Sequence, residues 1–516
     1  MAPEKTDSMG VSNIRSVEDL GVGDDAAFET IQASGLLDIS KAKDRQVCRR
    51  IDFFLLPLMM GTYLVQFLDK SCISYAALWG MEEDAHLEGS QYSWLTTIFY
   101  LGYLVGEFPM NYLFQKIHIT RVCGVLIFLW GAVLLCMTAA NDFQGLMASR
   151  FFLGLLESGV SPCFVLLTAM FYKRSEQPLR TGFWFSMNGL AQIIGGPVAY
   201  GIGLIHNDVP SWKFPFIIFG AITVVWAIVF LFFAPPNPMK AKWLSPQEKV
   251  IAVERVAQNE TGVDNKKFKW YQVREAFTDM KVWVLVLFTI ASNIPNGGLI
   301  AFGPLIINGF GFSKLGTTLL GMPMGAAQVI ALWISGWLAG YFKNCRLIVM
   351  AGGLGVAIIS AAMIYAIPSE YSVARLMGYY LLPGFCVTYV LSLGLIQANI
   401  AGRTKKNIVT ATMFVSYCIG NLIGPQLFFD SEAPRYQSGF ISMLVCFCIE
   451  FLLVILMYIL YSRENHKAST FRIPTCCRDA LQEGETHSQE AIRTLGLSDL
   501  TDVSAHAVII YGPLKY

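Results

Sequence analysis

Residues 65–79 read VQFLDKSCISYAALW. An acid, Asp69, and a base, Lys70, sit in a run that is apolar from Phe53 to Leu68 and apolar again beyond Ser71. About 20 consecutive apolar residues are enough to cross a bilayer. A charge at the centre of such a helix costs about 2.5–3.5 kcal/mol on insertion scales. The stretch therefore predicts a membrane helix whose polar pair has a purpose.

The rest of the chain agrees. Of 516 residues, 54% are apolar and 15% charged, against about 25% charged in soluble domains. Long apolar stretches recur along most of the length, which predicts an all-α polytopic membrane protein. The net charge of +1 gives no reason to expect a nucleic-acid partner. Most of the 12 cysteines lie inside apolar stretches, with no disulfide or zinc-site spacing. They read as buried free thiols, and Cys476 and Cys477 as candidates for palmitoylation. The opening residues, MAPEKTDSMGVSNIRSVEDL, carry no basic and then apolar leader, so the first membrane helix is expected to direct targeting.

Twelve spans are expected, near 51–79, 92–115, 120–140, 146–171, 180–205, 214–234, 281–307, 315–340, 345–367, 373–398, 406–429 and 438–461. They divide the chain into a cytoplasmic tail (1–50), a six-helix half (51–234), a polar central segment (235–280), a second six-helix half (281–461) and a cytoplasmic tail (462–516). The central segment holds SPQEKVIAVERVAQ, a short amphipathic helix capped by Ser245 with Pro246 in its first position. Lys and Arg set the orientation. Lys116, Arg121, Lys173, Arg174, Arg180, Lys343, Arg346, Arg403, Lys405 and Lys406 cluster on one side, and the opposite side carries the acidic MEEDAHLEGS. Both termini are then cytoplasmic, and the sequon at Asn259 faces the cytosol, where it stays unmodified.

The halves echo each other. NYLFQKIHITR (111–121) and GWLAGYFKNCR (336–346) close with Arg121 and Arg346 at an offset of 225. Gly196-Pro197 and Gly424-Pro425 stand at an offset of 228. Two parallel six-helix repeats around a site at mid-membrane describe the major facilitator fold.

The charges inside spans are few: Asp69, Lys70, Glu107, Arg150, Glu157 and Glu450. Arg150 and Glu157 lie seven apart in SRFFLGLLESGVSP, on one helix face about 10 Å from each other. Asp69 is expected to meet them across one polar cavity, with a permanent Asp69–Arg150 bridge as the purely structural alternative. Arg150, a fixed fork, suits a substrate carboxylate. Asp69 and Glu157 can gain and lose a proton, and no histidine lies in a span to do so. Lys70 points about 100° away from Asp69 and meets another acid, the substrate or the membrane surface. Glu107, Arg121 and Arg346 are the candidates for gating.

Five stretches carry a resemblance: RRIDFFLLPLMMGTYLVQFLDKSCISYAALWG, LGYLVGEFPMNYL, SRFFLGLLESGVSP, FYKRSEQPLRTGFWFS and GNLIGP. Across about residues 45–465 the chain resembles fungal members of the anion:cation symporter family, the allantoate permease group. The resemblance implies proton and carboxylate binding at Asp69, Arg150 and Glu157. Asn188, Gln192 and Asn421 are placed to add polar contacts. The final VSAHAVIIYGPLKY departs from the family pattern.

The expectation is a proton-coupled importer of small carboxylates such as ureides, nicotinate-like acids or vitamins. It would act as a monomer in the plasma membrane, with substrate, protons and lipid as its partners. Export of an acidic metabolite by proton antiport, or a nutrient receptor without flux, are the alternatives. No nucleotide-binding loop, metal cluster or nucleophile–base motif stands out, so neither an enzyme nor a cofactor is expected.

Overall fold

The computed structural model describes residues 41–173, 176–205, 208–257, 269–342, 345–400 and 403–470. The expectations for Arg174, Lys343, the Asn259 sequon and Cys476–Cys477 lie outside these residues. The described residues are helical, without a strand among them.

The first part of the chain forms α1 (Lys41–Leu78), α2 (Gln91–Lys116) and α3 (Ile119–Cys136), then α4 (Phe143–Glu157) with α5 (Val160–Phe171), α6 (Gln177–Phe185) with α7 (Met187–Gly203), and α8 (Phe214–Phe233). The central segment holds α9 (Pro246–Ala257) and α10 (Trp270–Thr278). The second part forms α11 (Met280–Gly309), α12 (Lys314–Leu320) with α13 (Met322–Tyr341), α14 (Arg346–Ala366), α15 (Ser372–Leu381) with α16 (Gly384–Asn399), α17 (Arg403–Ile423) and α18 (Gln437–Thr470).

Ten of these passes are long and apolar enough to cross a membrane. The expected spans 2 and 5 are present as α2 and as the α6–α7 pair, which is interrupted at Ser186, but they fall short of that measure. Four spans read from sequence as continuous are broken. The breaks fall at Ser158-Gly159, Ser186, Gly321 and Leu382-Pro383. At two of them a proline opens the next stretch (Pro323 and Pro383), where its missing N–H costs nothing. Helix α1 starts ten residues before the expected span, because its charged first turns are held by ion pairs described below.

Helix contacts repeat. In the first six passes α2 packs on α4, α3 on α8, and α1 on both α7 and α8. The counterparts in the second six are α13 on α16, α14 on α18, and α11 on both α17 and α18. The contacts between the two sets, α1–α11, α2–α17 and α7–α13, map onto themselves under the same shift of six passes. That is the signature of a duplicated unit packed about a two-fold axis. Small residues permit the closest approaches. A side chain at Gly102 or Gly154 would run into the facing backbone of α4 or α2, and Gly189 and Gly325 abut each other between the two sets.

The proximal end of the bundle is the one carrying the start of α1 and the central segment. There Arg255 of α9 reaches Asp44 and, at 2.8 Å, Glu176. Lys173 pairs with Asp44 at 3.1 Å and Arg50 with Glu248 at 2.8 Å. Helix α10 instead docks on α17, where Lys405 binds Glu275 and Asp279 at 3.0 and 2.8 Å. At the opposite, distal end the two sets are tied together. The Tyr92 hydroxyl donates to the Ala301 carbonyl at 2.6 Å, and Thr97 to that of Leu422 at 3.2 Å.

Candidate functional site

The polar pair in α1 divides between two directions. Lys70 faces α4 and lies 3.5 Å from Glu157, which is fully buried. Its ammonium stands over the rings of Phe99 and Tyr103 of α2 at 5.6 and 5.5 Å, an arrangement that adds cation–π attraction. Of the three expectations for Lys70, another acid is the one met.

Asp69 turns the other way, toward α3 and α8. Its Oδ2 accepts from the Trp130 indole at 2.7 Å and from the Thr223 hydroxyl at 2.8 Å, and its Oδ1 is buried without a hydrogen-bond partner. The permanent Asp69–Arg150 bridge, the purely structural alternative, is not formed. The reason is geometric: Lys70 takes the face of α1 that looks at Glu157, and the next residue on a helix points about 100° away.

Arg150 is 2% exposed, and its Nε and Nη2 have no hydrogen-bond partner. The guanidinium stands 5.9 Å from the ring of Phe216. No ion pair is formed by Arg150 among the described residues. A buried guanidinium with open donors is costly unless an anion completes it. With Asp69, Arg150 is a buried charge of the first six passes that no ion pair balances among the described residues.

The remaining candidates are placed as follows. Gln192 donates to Gln328 of α13 at 3.2 Å, joining the two sets of helices. Asn421 is fully buried; it accepts from Asn296 at 2.9 Å and donates to Asn293 at 3.3 Å. Asn188 is half-buried, with no hydrogen bond among the described residues. Glu107 is buried on α2 and lies near Tyr389 and Cys418 of the second set. Arg121 is exposed at the proximal end, and Arg346 donates to the Gly394 carbonyl within the second set.

Reading the sequence missed Trp130, Thr223, Gln328, Asn293 and Asn296, along with the tyrosines around the centre. Tyr417 lies 5.7 Å from Tyr389 and 6.5 Å from Tyr103, ring to ring. The signal available was the presence of amides in an otherwise apolar run, SNIPNGG (292–298).

Comparison with known proteins follows the same lines. The family model described as Major Facilitator Superfamily matches residues 59–425. An uncharacterized transporter of Schizosaccharomyces pombe is 39% identical, covering 96% of this chain and 92% of its own. The allantoate permease of Saccharomyces cerevisiae is 35% identical over 93% of this chain and 88% of its own. Among solved structures, the D-xylose-proton symporter superposes with a TM-score of 0.59 at 12% identity, over 79% of this chain and 97% of its own.

Proposed function

The chain belongs to the major facilitator superfamily, a multi-pass membrane transporter of small molecules rather than an enzyme, and from that premise we propose that it imports small organic anions together with protons by alternating access. The unit of movement is the six-helix half, 51–234 against 281–461, with 235–280 and both tails in the cytoplasm and the plasma membrane as its site. It works as a monomer.

Arg150 carries the reading. A buried fork with two open N–H groups fits a carboxylate bidentately, and a relative named for allantoate transport the chain at 35% identity supports that substrate class. Lys70, beside Glu157 and so about two turns along α4 from Arg150, supplies a second cation. An incoming carboxylate competes with Glu157 for Lys70 across the 3.5 Å pair. Glu157, deprived of its cation while fully buried, is then cheaper to keep as the neutral acid. Substrate and proton binding thereby favour each other. Asp69 offers a second carboxyl, held by Trp130 and Thr223. Asn188, Gln192 and Asn421 complete the polar lining, and Glu107, Arg121 and Arg346 act in gating. A monoanion entering a negative-inside cell is opposed by about 2.3 kcal/mol per 100 mV, which one co-transported proton cancels.

The test is uptake of a panel of radiolabelled small carboxylates by transport-deficient yeast at acidic and neutral pH. Wild type is compared with Arg150→Ala and Glu157→Gln at equal surface expression. Acid-stimulated uptake that disappears in both variants is expected. Uptake of no acid by well-expressed wild type overturns the import reading.

A further inference from the structure

Glu450 of α18 is a buried acid to which the transport reading gives no task. It is fully buried between α18, α16 and α11. Its Oε2 lies 3.3 Å from the Thr388 hydroxyl. The Ser292 hydroxyl of α11 is its other polar neighbour, and Glu450 Oε1 makes no hydrogen bond of good geometry. No cation among the described residues balances it. Of the charged residues on the elements packed against it, Lys281 of α11 pairs with Asp279 at 3.8 Å and Arg346 of α14 is spent on the Gly394 carbonyl. The turn Gly424–Leu427 carries no charge, and Arg463 is exposed near the end of α18. The ionisable groups beside Glu450 are two thiols, Cys386 and Cys446. Tyr389 of α16 turns toward Tyr417, Tyr365 of α14 is exposed, and Tyr458 and Tyr461 stand more than two turns further along α18.

Burial without a cation fixes what this carboxyl holds. A threonine hydroxyl has one proton. The Thr388 hydroxyl shares it between the Phe385 carbonyl at 2.6 Å and Glu450 Oε2 at 3.3 Å. One shared hydroxyl proton and the neighbouring Ser292 hydroxyl do not offset the desolvation of a fully buried carboxylate that no cation among the described residues faces, so the carboxyl holds its proton.

We propose that Glu450 is a second proton-binding site, occupied in this conformation and separate from the Lys70–Glu157 centre. A polar thread leads to it from the junction of the two halves. Gln192 donates to Gln328, and Gln328 donates in turn to the Cys386 thiol at 3.5 Å, two residues from Thr388. Separation of the halves breaks the first link and exposes the thread, which gives the proton a way in and out. Use of that proton in transport rests on the symport reading; its presence on Glu450 does not.

The experiment measures presence alone. Infrared spectra of the substrate-free, full-length protein in liposomes are taken in light and heavy water for wild type, Glu450→Gln, Glu450→Asp and Thr388→Val. A protonated-carboxyl carbonyl band, isotope-sensitive, is expected in wild type. It should be missing from Glu450→Gln and displaced in both Glu450→Asp and Thr388→Val. If Glu450→Gln does not fold, the displacement in Thr388→Val carries the test. A spectrum unchanged in that band by every variant overturns the proposal. So does loss of the wild-type band on adding sodium, which would make the site one for a metal cation. Neither result bears on whether the protein takes up carboxylates.

Discussion

Arg150 and Lys70 illustrate how little charge type alone decides. Lys70 is neutralised by Glu157 at 3.5 Å, whereas Arg150 is buried with two donors open. Arg150→Lys keeps the charge but loses the planar fork. A hydrogen bond to a charged group is worth about 1.5–3 kcal/mol, so one lost contact lowers uptake efficiency by roughly 10- to 100-fold. Concentration-dependent uptake by the variant, at matched expression, checks this; an unaltered efficiency would remove Arg150 from the substrate. That Asp69, Arg150 and Glu157 are unusual was legible in the sequence, since a charge in an apolar run is conspicuous. Their partners were not. Trp130 lies 61 residues from Asp69 and Thr223 lies 154. An indole inside LIFLWGAV looks like packing until the fold puts an acid against it.

At the scale of single elements, α9 was the most predictable. Its capping box closes as the SPQE pattern implies: the Ser245 oxygen accepts from the Glu248 N–H at 3.3 Å, and the Glu248 carboxylate accepts from the Ser245 N–H at 2.8 Å. Ser245→Ala should cost about 1 kcal/mol of helix stability, read as faster hydrogen exchange over 246–257. The same region responds to acid. Burial pushes the Glu248 carboxyl up, but the Ser245 N–H and Arg50 outweigh it and hold it below its ordinary 4.5. A depressed acid stabilises the fold above the unfolded value and ceases to do so as pH falls through the folded one. Protection of α9 should therefore weaken below pH 4.5, and Glu248→Gln should remove that dependence. The interrupted spans were harder to foresee. Apolar character continues straight through Ser158-Gly159 and Ser186, and only neighbouring helices dictate where the axis breaks.

For the whole molecule, the sequence offsets of 225 and 228 foreshadowed the repeated packing, because a duplicated unit keeps its contacts as well as its motifs. What the offsets did not convey is the closed distal end. Glu82 sits there, half-buried. Burial first, then Asp430 of the second set and Glu83, push its carboxyl up to about 7. A raised acid stabilises the folded, closed arrangement below its unfolded value of 4.5. That contribution is lost as pH rises toward about 7. Glu82→Gln should melt higher than wild type at neutral pH and level with it in acid, as thermal denaturation across that window would reveal. Equal melting throughout would mean that Glu82 does not sense the junction.

The central segment grips both halves, α9 by Arg255 and α10 by Lys405, with eleven residues, 258–268, between the described parts. A chain of that length reaches at most about 40 Å. The two anchors therefore set an upper limit on how far the helices they hold can separate at the proximal end, a limit that belongs to chain length rather than to the spans themselves.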